Sequence, residues 1–267
     1  MRKILVIAFI SFLGVSLKAQ SKLDSLWSVW NDQTQSDTTR LEAMKKIAWD
    51  GYLFSQPDSA FHFAQLHYEL AKKKGLKEQM ALALNIQGVS FHIRANYPQA
   101  LEYYQRSLKI REEIGDKEGI AGSLSNIGLI YTDQSDYSKA LGYYQRSLKI
   151  SEEIGDKNGI ATSLSNIGLI YMEQNDYPKA LNDYQRSLKI FEELGKKRGI
   201  ASSMNNIGMI YEDQGDYPKA LDAYQRSLTI KEEMGNKRGV TGTLINMGGL
   251  LHKQGDYQKA IKKCNEG

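Results

Sequence analysis

The stretch SLSNIGLIYTDQSDYSKALGYYQRSLKISEEIGDKNG, residues 123–159, decides the fold because close copies of it recur along the chain. Its opening returns as SLSNIGLIY at Ser163, SMNNIGMIY at Ser203 and TLINMGGLL at Thr243. Its central segment, ALGYYQRSLKI from Ala140, returns with few changes from Ala100, Ala180 and Ala220. The period is 40 residues throughout, and a fixed period of this length indicates a repeat architecture.

The first half of each unit predicts a helix. Leu124, Ile127, Gly128 and Tyr131 are spaced i, i+3, i+4 and i+7, which places them on one helix face. Asp116 is a suitable N-cap for this helix, and we expect the helix to end near Gln134.

The second half predicts another helix, with Asp136 as its N-cap and Gly155 at its C-cap. Three other units carry a proline two residues after this cap, where a missing N–H is tolerated: Pro98, Pro178 and Pro218. Its packing face would hold Ala140, Leu141, Tyr144, Ser147, Leu148 and Ile154.

Small residues indicate where the two helices cross. Gly128 and Ala140 would allow a close approach, and Tyr131 and Tyr144 would fill the space on either side. One helix pair cannot bury both of its faces, so we expect stacked neighbours to supply the core.

These features together resemble the tetratricopeptide repeat over residues 81–260. A small residue in the first helix, a Tyr three positions on, G-D-Y at the turn and an Ala opening the second helix carry the resemblance. The 40-residue period is similar to the long-helix variant of cell-polarity adaptors, kinesin light chains and bacterial peptide-sensing regulators. The resemblance implies an all-α fold, a right-handed superhelical solenoid of antiparallel helix pairs.

The period divides the chain into predicted segments. A capping helix over 20–40 precedes a degenerate repeat at 41–80. Full repeats follow at 81–120, 121–160, 161–200 and 201–240, and a partial, truncated repeat occupies 241–267. Leu23, Leu26, Trp27 and Trp30 have helical spacing; we favour a solenoid cap over the alternative, a partner-binding tryptophan patch.

Residues 1–19 are typical of a secretory signal peptide. Arg2 and Lys3 precede an uncharged, mostly apolar run over 4–17, which is short for a membrane span. We expect cleavage after Ala19 and therefore an exported, periplasmic or secreted protein; an uncleaved signal anchor is the alternative. We expect no membrane contact from the mature segment, although a transmembrane segment could lie downstream.

The composition argues against several function classes. Removing the three basic residues of 1–19 from the net charge of +4 leaves about +1, which is too little for a nucleic-acid-binding protein. The single cysteine, Cys264, and four scattered histidines provide no metal-site spacing. Because no catalytic motif is present and the paired glutamates recur in every repeat as solvated helix ends, we expect no enzymatic activity, metal or cofactor.

One asparagine recurs in each first helix: Asn126, Asn166, Asn206 and Asn246. First helices line the concave groove of tetratricopeptide superhelices, and these residues resemble the asparagine ladder of the O-GlcNAc transferase superhelix. An amide offers an acceptor and two donors, which suits the main chain of an extended peptide. The alternative is that each asparagine bonds to the neighbouring repeat; Ile86 stands in the equivalent place of the preceding repeat.

Acidic residues near the ends of the first helices form a second set of candidate groove residues: Asp133, Glu173 and Asp213. They could select a basic peptide, but we favour pairing with Lys or Arg, or solvation. A carboxylate clamp of the chaperone-tail binders is doubtful, because its places hold uncharged residues: Ser125, Leu129, Ser165, Leu169, Asn205 and Met209.

The sequence therefore predicts a non-enzymatic scaffold that binds a protein or extended peptide in a groove. The resemblance favours the N-terminal sensory or interaction region of a bacterial signalling protein. A stand-alone secreted or periplasmic assembly scaffold is the alternative.

Overall fold

The computed structural model describes residues 21–256, and every regular element in that range is helical. The predicted signal peptide and Cys264 lie outside the described residues. Residues 21–31 form α1. The following helices are α2 (Asp37–Lys46, continued by a π-helical turn, Ile47–Tyr52), α3 (Pro57–Lys73), α4 (Lys77–Ile93), α5 (Tyr97–Ile114), α6 (Lys117–Asp133), α7 (Tyr137–Ile154), α8 (Lys157–Glu173), α9 (Tyr177–Glu193), α10 (Lys197–Asp213), α11 (Tyr217–Glu233) and α12 (Lys237–Lys253).

The chain divides into two compact units, one up to Ile130 and one from Tyr131 onward. In the first unit α3 packs against α4 and α4 against α5. In the second unit each helix from α7 to α12 packs against the next one. This stacking of consecutive helices is the predicted all-α solenoid arrangement of helix pairs.

Local capping explains why the second helices begin where they do. The side chains of Asp136, Asp176 and Asp216 each accept a hydrogen bond from the backbone N–H three residues on. The predicted cap at Gly155 adopts a left-handed backbone with φ of 68°. The preceding first helix ends at Asp133, one residue before the expected end.

The turn inside each helix pair requires a left-handed residue as well. Gly215 and Gly255 occupy this place with φ near 80°, whereas Ala95, Ser135 and Asn175 adopt φ between 55° and 59°. Most non-glycine residues are disfavoured there, so the turns at Ala95 and Ser135 carry backbone strain, whereas Asn175 is of a residue type that tolerates this conformation.

A buried tyrosine on each second helix forms the centre of the packing. Tyr104, Tyr144, Tyr184 and Tyr224 are all at most 1% exposed. Within its own helix pair, Tyr104 lies against Gly88 and Tyr224 against Gly208, so closely that an added Cβ would lie 2.6 or 2.7 Å from the ring. The small residue of the first helix therefore accommodates this ring.

A buried serine joins the two helices of a pair. The hydroxyl groups of Ser107, Ser187 and Ser227 donate to the backbone carbonyl oxygens of Ala81, Ala161 and Ala201 at 2.7–2.8 Å. Each serine is fully buried, so the bond satisfies a polar group that would otherwise be costly.

Ion pairs close the outer end of the same helix pairs. Lys77, Lys157 and Lys197 contact Glu113, Glu193 and Glu233 at 2.8–3.0 Å. These pairs are about half exposed, so the recurring glutamates are solvated helix ends that also contact a lysine.

The N-terminal tryptophans pack against the first repeat. The Trp27 ring meets the Phe63 ring edge-on at 5.2 Å. Arg40 lies over the Trp30 ring and donates to the Trp30 carbonyl oxygen at 2.9 Å. Trp27 therefore contacts α3, and Trp30 contacts Arg40 in the first turn of α2.

Candidate functional site

The four recurring asparagines lie in α6, α8, α10 and α12, and each is half-buried. Beside each of them one residue of the same helix points into the core: Ile127, Ile167, Ile207 or Met247. The asparagines therefore lie at the border between the core and the exposed surface of the first helices.

Two of these asparagines bond to a neighbouring repeat. Asn126 donates to the side-chain oxygen of Asn85 at 2.7 Å, and Asn246 donates to that of Asn205 at 3.5 Å. In both bonds the acceptor lies 41 residues earlier, which is one residue before the equivalent repeat position. Asn126 therefore bonds to Asn85 and not to Ile86. Each bond uses one of the two amide N–H donors, which leaves a second donor and the carbonyl oxygen for a ligand.

Asn205 is the centre of a small polar network. Besides Asn246, it accepts from the Thr243 hydroxyl at 3.3 Å and from the Lys231 ammonium at 3.5 Å. Lys231 also donates to Thr243 at 2.7 Å, and burial lowers the pKa of Lys231. Three consecutive helices, α10 to α12, are joined here, and the sequence pattern had not indicated the part that Lys231 and Thr243 play.

Asn206 approaches the hydroxyl group of Tyr184. Burial raises the pKa of Tyr184, and the Asn206 amide offsets part of this rise. The hydroxyl nevertheless makes no hydrogen bond of ordinary geometry. In the pairs on either side the tyrosine hydroxyl has a hydrogen-bond partner twelve residues earlier: Thr132 lies 3.0 Å from the Tyr144 hydroxyl, and Glu212 accepts from Tyr224 at 2.8 Å.

The acidic candidates lie at exposed helix ends and two of them meet tyrosines. Glu173 accepts from the Tyr137 hydroxyl at 3.2 Å, and Asp213 accepts from the Tyr177 hydroxyl at 3.5 Å. These bonds link successive repeats. Their exposure agrees with the solvation that we favoured, but the hydrogen-bond partner is a tyrosine and not a Lys or Arg. The tyrosine that opens each second helix reaches the end of the next first helix. Asp133, the third candidate, is exposed in the same way.

The surface around the asparagines is largely uncharged. Leu129 and Ile245 are 37% and 57% exposed, and the Ser165 hydroxyl lies 2.7 Å from that of Ser187. Such a surface suits a main chain and apolar side chains better than a terminal carboxylate.

A cavity opens on the first helices of the N-terminal unit. It has a volume of about 340 Å³ and lies between the α2 segment and α4. Trp49, Leu82 and Ile86 line it together with Asn85, and lysine and acidic side chains surround them. The sequence analysis missed this cavity, although Trp49 stands in the same repeat position as the exposed Leu129.

The described residues include no group of three His, Cys, Asp or Glu side chains placed to hold a metal ion. His67 is fully buried, and its Nε2 lies 3.1 Å from the Gln79 side-chain oxygen. Burial lowers the pKa of His67 to about 4. Within residues 21–256, no helix combines the length and apolar character that a membrane span requires.

Comparisons with known proteins agree with this architecture. The family model described as tetratricopeptide repeat matches residues 79–153 and 159–233, which is more than half of the chain. No curated protein sequence shows significant similarity to the chain.

Solved structures share the fold at low sequence identity. BtubC (BKLC) from P. vanneervenii is 22% identical with a TM-score of 0.69, over 79% of this chain and 89% of that chain. The apo form of RapI is 18% identical with a TM-score of 0.71, over 97% and 94% of the two chains. A Rap protein complexed with Competence and Sporulation Factor is 16% identical with a TM-score of 0.66, over 94% and 76%.

Proposed function

Because the chain belongs to the tetratricopeptide repeat family, we propose that it is a non-enzymatic scaffold that binds an extended protein segment along its first helices. The observation that carries this proposal is the recurrence of a half-buried amide beside an uncharged, partly apolar surface in consecutive first helices. An enzyme needs one site, whereas a repeated amide suits a ligand whose own groups repeat, such as a peptide main chain.

The ligand contacts would come from the free hydrogen-bonding capacity of the asparagines. A peptide residue in extended conformation presents one N–H and one C=O, which match one amide oxygen and one amide N–H donor. In the unit from Tyr131 onward, Asn166, Asn206 and Asn246 would form this surface, and Leu169 and Met209 would contact apolar side chains of the ligand. In the unit up to Ile130, Asn126 and Leu129 would offer the same two kinds of group.

The acidic residues would contribute weakly. Glu173 and Asp213 are exposed and already accept tyrosine hydroxyl groups, so a basic peptide side chain would gain only a screened attraction. We therefore assign Asp133, Glu173 and Asp213 to a mild preference for basic segments, not to affinity.

A solved structure of the same fold agrees with this role. It is a Rap protein in complex with Competence and Sporulation Factor. Because a shared fold does not specify a ligand, selection from a peptide library identifies the ligand of this chain.

Export is part of the proposal. The N-terminal pattern of residues 1–19 supports a periplasmic or secreted location, and we favour a sensory or interaction region of a bacterial signalling protein over a stand-alone scaffold. Fusing residues 1–40 to a phosphatase that is active only after export tests this location: activity in intact cells supports export, and its absence contradicts it.

Binding is tested by selection from a displayed library of twelve-residue peptides against residues 20–267. The selected peptide is then titrated with the Asn166→Ala/Asn206→Ala variant, for which we expect at least about tenfold weaker binding at a similar melting temperature. Asn158→Ala, an exposed asparagine at the start of the same helix α8, is the matched control and should bind normally. A lower melting temperature with intact binding would show that the asparagines serve only the fold.

A further inference from the structure

One position of the second helices, which holds a tyrosine in some repeats and not in others, points to a second binding site. On the second helices this position holds Tyr103, Tyr143, Asp183 and Ala223 in successive repeats. Twelve residues earlier, each first helix provides an aromatic ring: Phe91, Tyr131, Tyr171 and Tyr211. The two positions face each other, so the repeats differ in whether the first-helix ring is covered.

Two repeats cover the ring with a tyrosine of their own. Phe91 and Tyr103 stack with ring centroids 5.4 Å apart and planes 22° apart. Tyr131 and Tyr143 stack at 5.5 Å and 11°. Lys139 lies 5.1 Å from the Tyr131 ring and Arg146 lies 5.7 Å from the Tyr143 ring, so each ring of the Tyr131–Tyr143 pair has a cation over its face.

The third repeat fills the same position with a charged group. Asp183 is only 8% exposed and lies 3.5 Å from Arg186 and 3.1 Å from Asn182. A half-sized, charged side chain with polar partners therefore stands at this position, and such a position suits an aromatic ring less well.

The fourth repeat keeps every part of the arrangement except the covering ring. Tyr211 is present, and the Lys219 ammonium lies 5.3 Å from its ring, as Lys139 does over Tyr131. Arg226 stands in the place of Arg146. Ala223 replaces the tyrosine, and a cavity of about 460 Å³ opens between α9, α10 and α11 at this point.

The cavity walls are suited to an aromatic side chain. Leu188, Met204 and Ile207 contribute apolar surface, and Tyr211 offers a ring for stacking. Lys219, which is paired with Asp216, and Arg226 line the cavity together with Asp222, and cations beside a cavity favour an electron-rich ring such as that of tyrosine.

We propose that the cavity between α9, α10 and α11 receives a tyrosine side chain from a bound protein segment, at the place where the equivalent repeat inserts its own Tyr143. The inference deepens the proposed function, since it assumes a protein ligand, but it uses a surface distinct from the asparagines. The vacancy depends on one residue, Ala223, so a single substitution should close it.

The probe for this site is p-cresol, which reproduces the tyrosine side chain. We expect p-cresol to bind the chain at one site with millimolar affinity, measured by protein-observed NMR with the Tyr211 ring and Ala223 methyl signals as reporters. Ala223→Tyr should weaken this binding at least tenfold, whereas Ala223→Ser, which leaves the cavity open, should bind as the wild type does. Tyr143→Ala should create a second site at Tyr131.

The outcomes separate this site from the proposed function. The Asn166→Ala/Asn206→Ala variant should bind p-cresol normally. If the wild type binds p-cresol but no peptide, the cavity is supported and the asparagine groove is contradicted. Circular dichroism melting verifies that each variant is folded. The inference is overturned if a folded Ala223→Tyr variant binds p-cresol as the wild type does. It is also overturned if p-cresol at about 20 mM, well above a millimolar Kd, shifts neither the Tyr211 ring signals nor the Ala223 methyl signal.

Discussion

The same substitution, tyrosine to phenylalanine, should change stability in opposite directions in three nearly identical repeats. Tyr144, Tyr184 and Tyr224 are equally buried, but only the first and last hydroxyl groups have a partner of ordinary geometry. Met172 stands where the other repeats have Thr132 and Glu212, so the Tyr184 hydroxyl is buried without a hydrogen bond.

The magnitudes follow from what each hydroxyl loses. Tyr144→Phe removes a neutral bond and should cost about 1 kcal/mol, and Tyr224→Phe removes a bond to a carboxylate and should cost about 2 kcal/mol. Tyr184→Phe removes a buried group that gains nothing from folding, so it should stabilise the protein by about 1 kcal/mol. Met172→Thr supplies the missing partner but loses packing against the cluster around Tyr184, and in this background Tyr184→Phe should become unfavourable.

Urea unfolding followed by circular dichroism measures these differences, and a shared slope for all variants validates the comparison, since repeat arrays can depart from two-state unfolding. A loss of 1 kcal/mol or more for Tyr184→Phe would refute the reasoning. It would mean that Asn206 or a bound water completes the hydrogen bonding of this hydroxyl.

Three further predictions concern the packing and the turns. Gly208→Ala should destabilise the protein by about 1–2 kcal/mol, because its Cβ would lie 2.7 Å from the Tyr224 ring. In Gly168→Ala the Cβ would lie 3.3 Å from the Tyr184 ring, and this variant should be near neutral because alanine also favours the helix. Urea titration compares the two. Burial lowers the pKa of His67 to about 4 in the folded protein, from the usual 6.5. The stability that depends on neutral His67 is therefore complete above pH 6.5 and falls by up to about 3 kcal/mol as the pH drops towards 4. His67→Ser, which introduces the residue of the other repeats, should reduce the dependence of the melting temperature on pH between about 4.5 and 7. Ser135→Gly should stabilise the protein by about 0.5–1 kcal/mol by relieving φ of +59°, whereas Ser138→Gly, inside α7, should destabilise it, and a gain from both would disprove the strain argument.

Much of the fold could be predicted because its determinants are local. The 40-residue period, the cap at Asp136 and the left-handed Gly155 are each written in a few adjacent residues, and the structure confirms them. The left-handed Ser135 could not be predicted, since serine rarely adopts this conformation and only the closure of the turn imposes it.

The hydrogen bonds of the candidate site depend on how neighbouring helices pack, and the repeat pattern alone does not determine this packing. The asparagines could be found by their recurrence, but their partners, Asn85 and Asn205, lie 41 residues back, and only the packing of neighbouring first helices determines this spacing. The tyrosine partners of Glu173 and Asp213 arise in the same way. The roles of the asparagines in ligand binding remain predictions.

The cavity beside Ala223 corresponds to a visible difference between the repeats in the sequence. The substitution of Tyr143 by Ala223 in an otherwise similar repeat is visible in the repeats themselves. Its meaning becomes clear only when the stacked rings show which neighbour the tyrosine covers.

Main-chain recognition by Asn166 and Asn206 is the central claim, and a backbone-edited ligand tests it most directly. In the selected peptide, each amide is replaced in turn by an ester, which removes one N–H donor and weakens the neighbouring carbonyl acceptor. At the contacted positions, wild-type affinity should fall by about 5- to 30-fold, and the Asn166→Ala/Asn206→Ala variant should show less than about a twofold effect. Equal losses for both proteins at every position would contradict the account, because the asparagines would then not contact the main chain of the ligand.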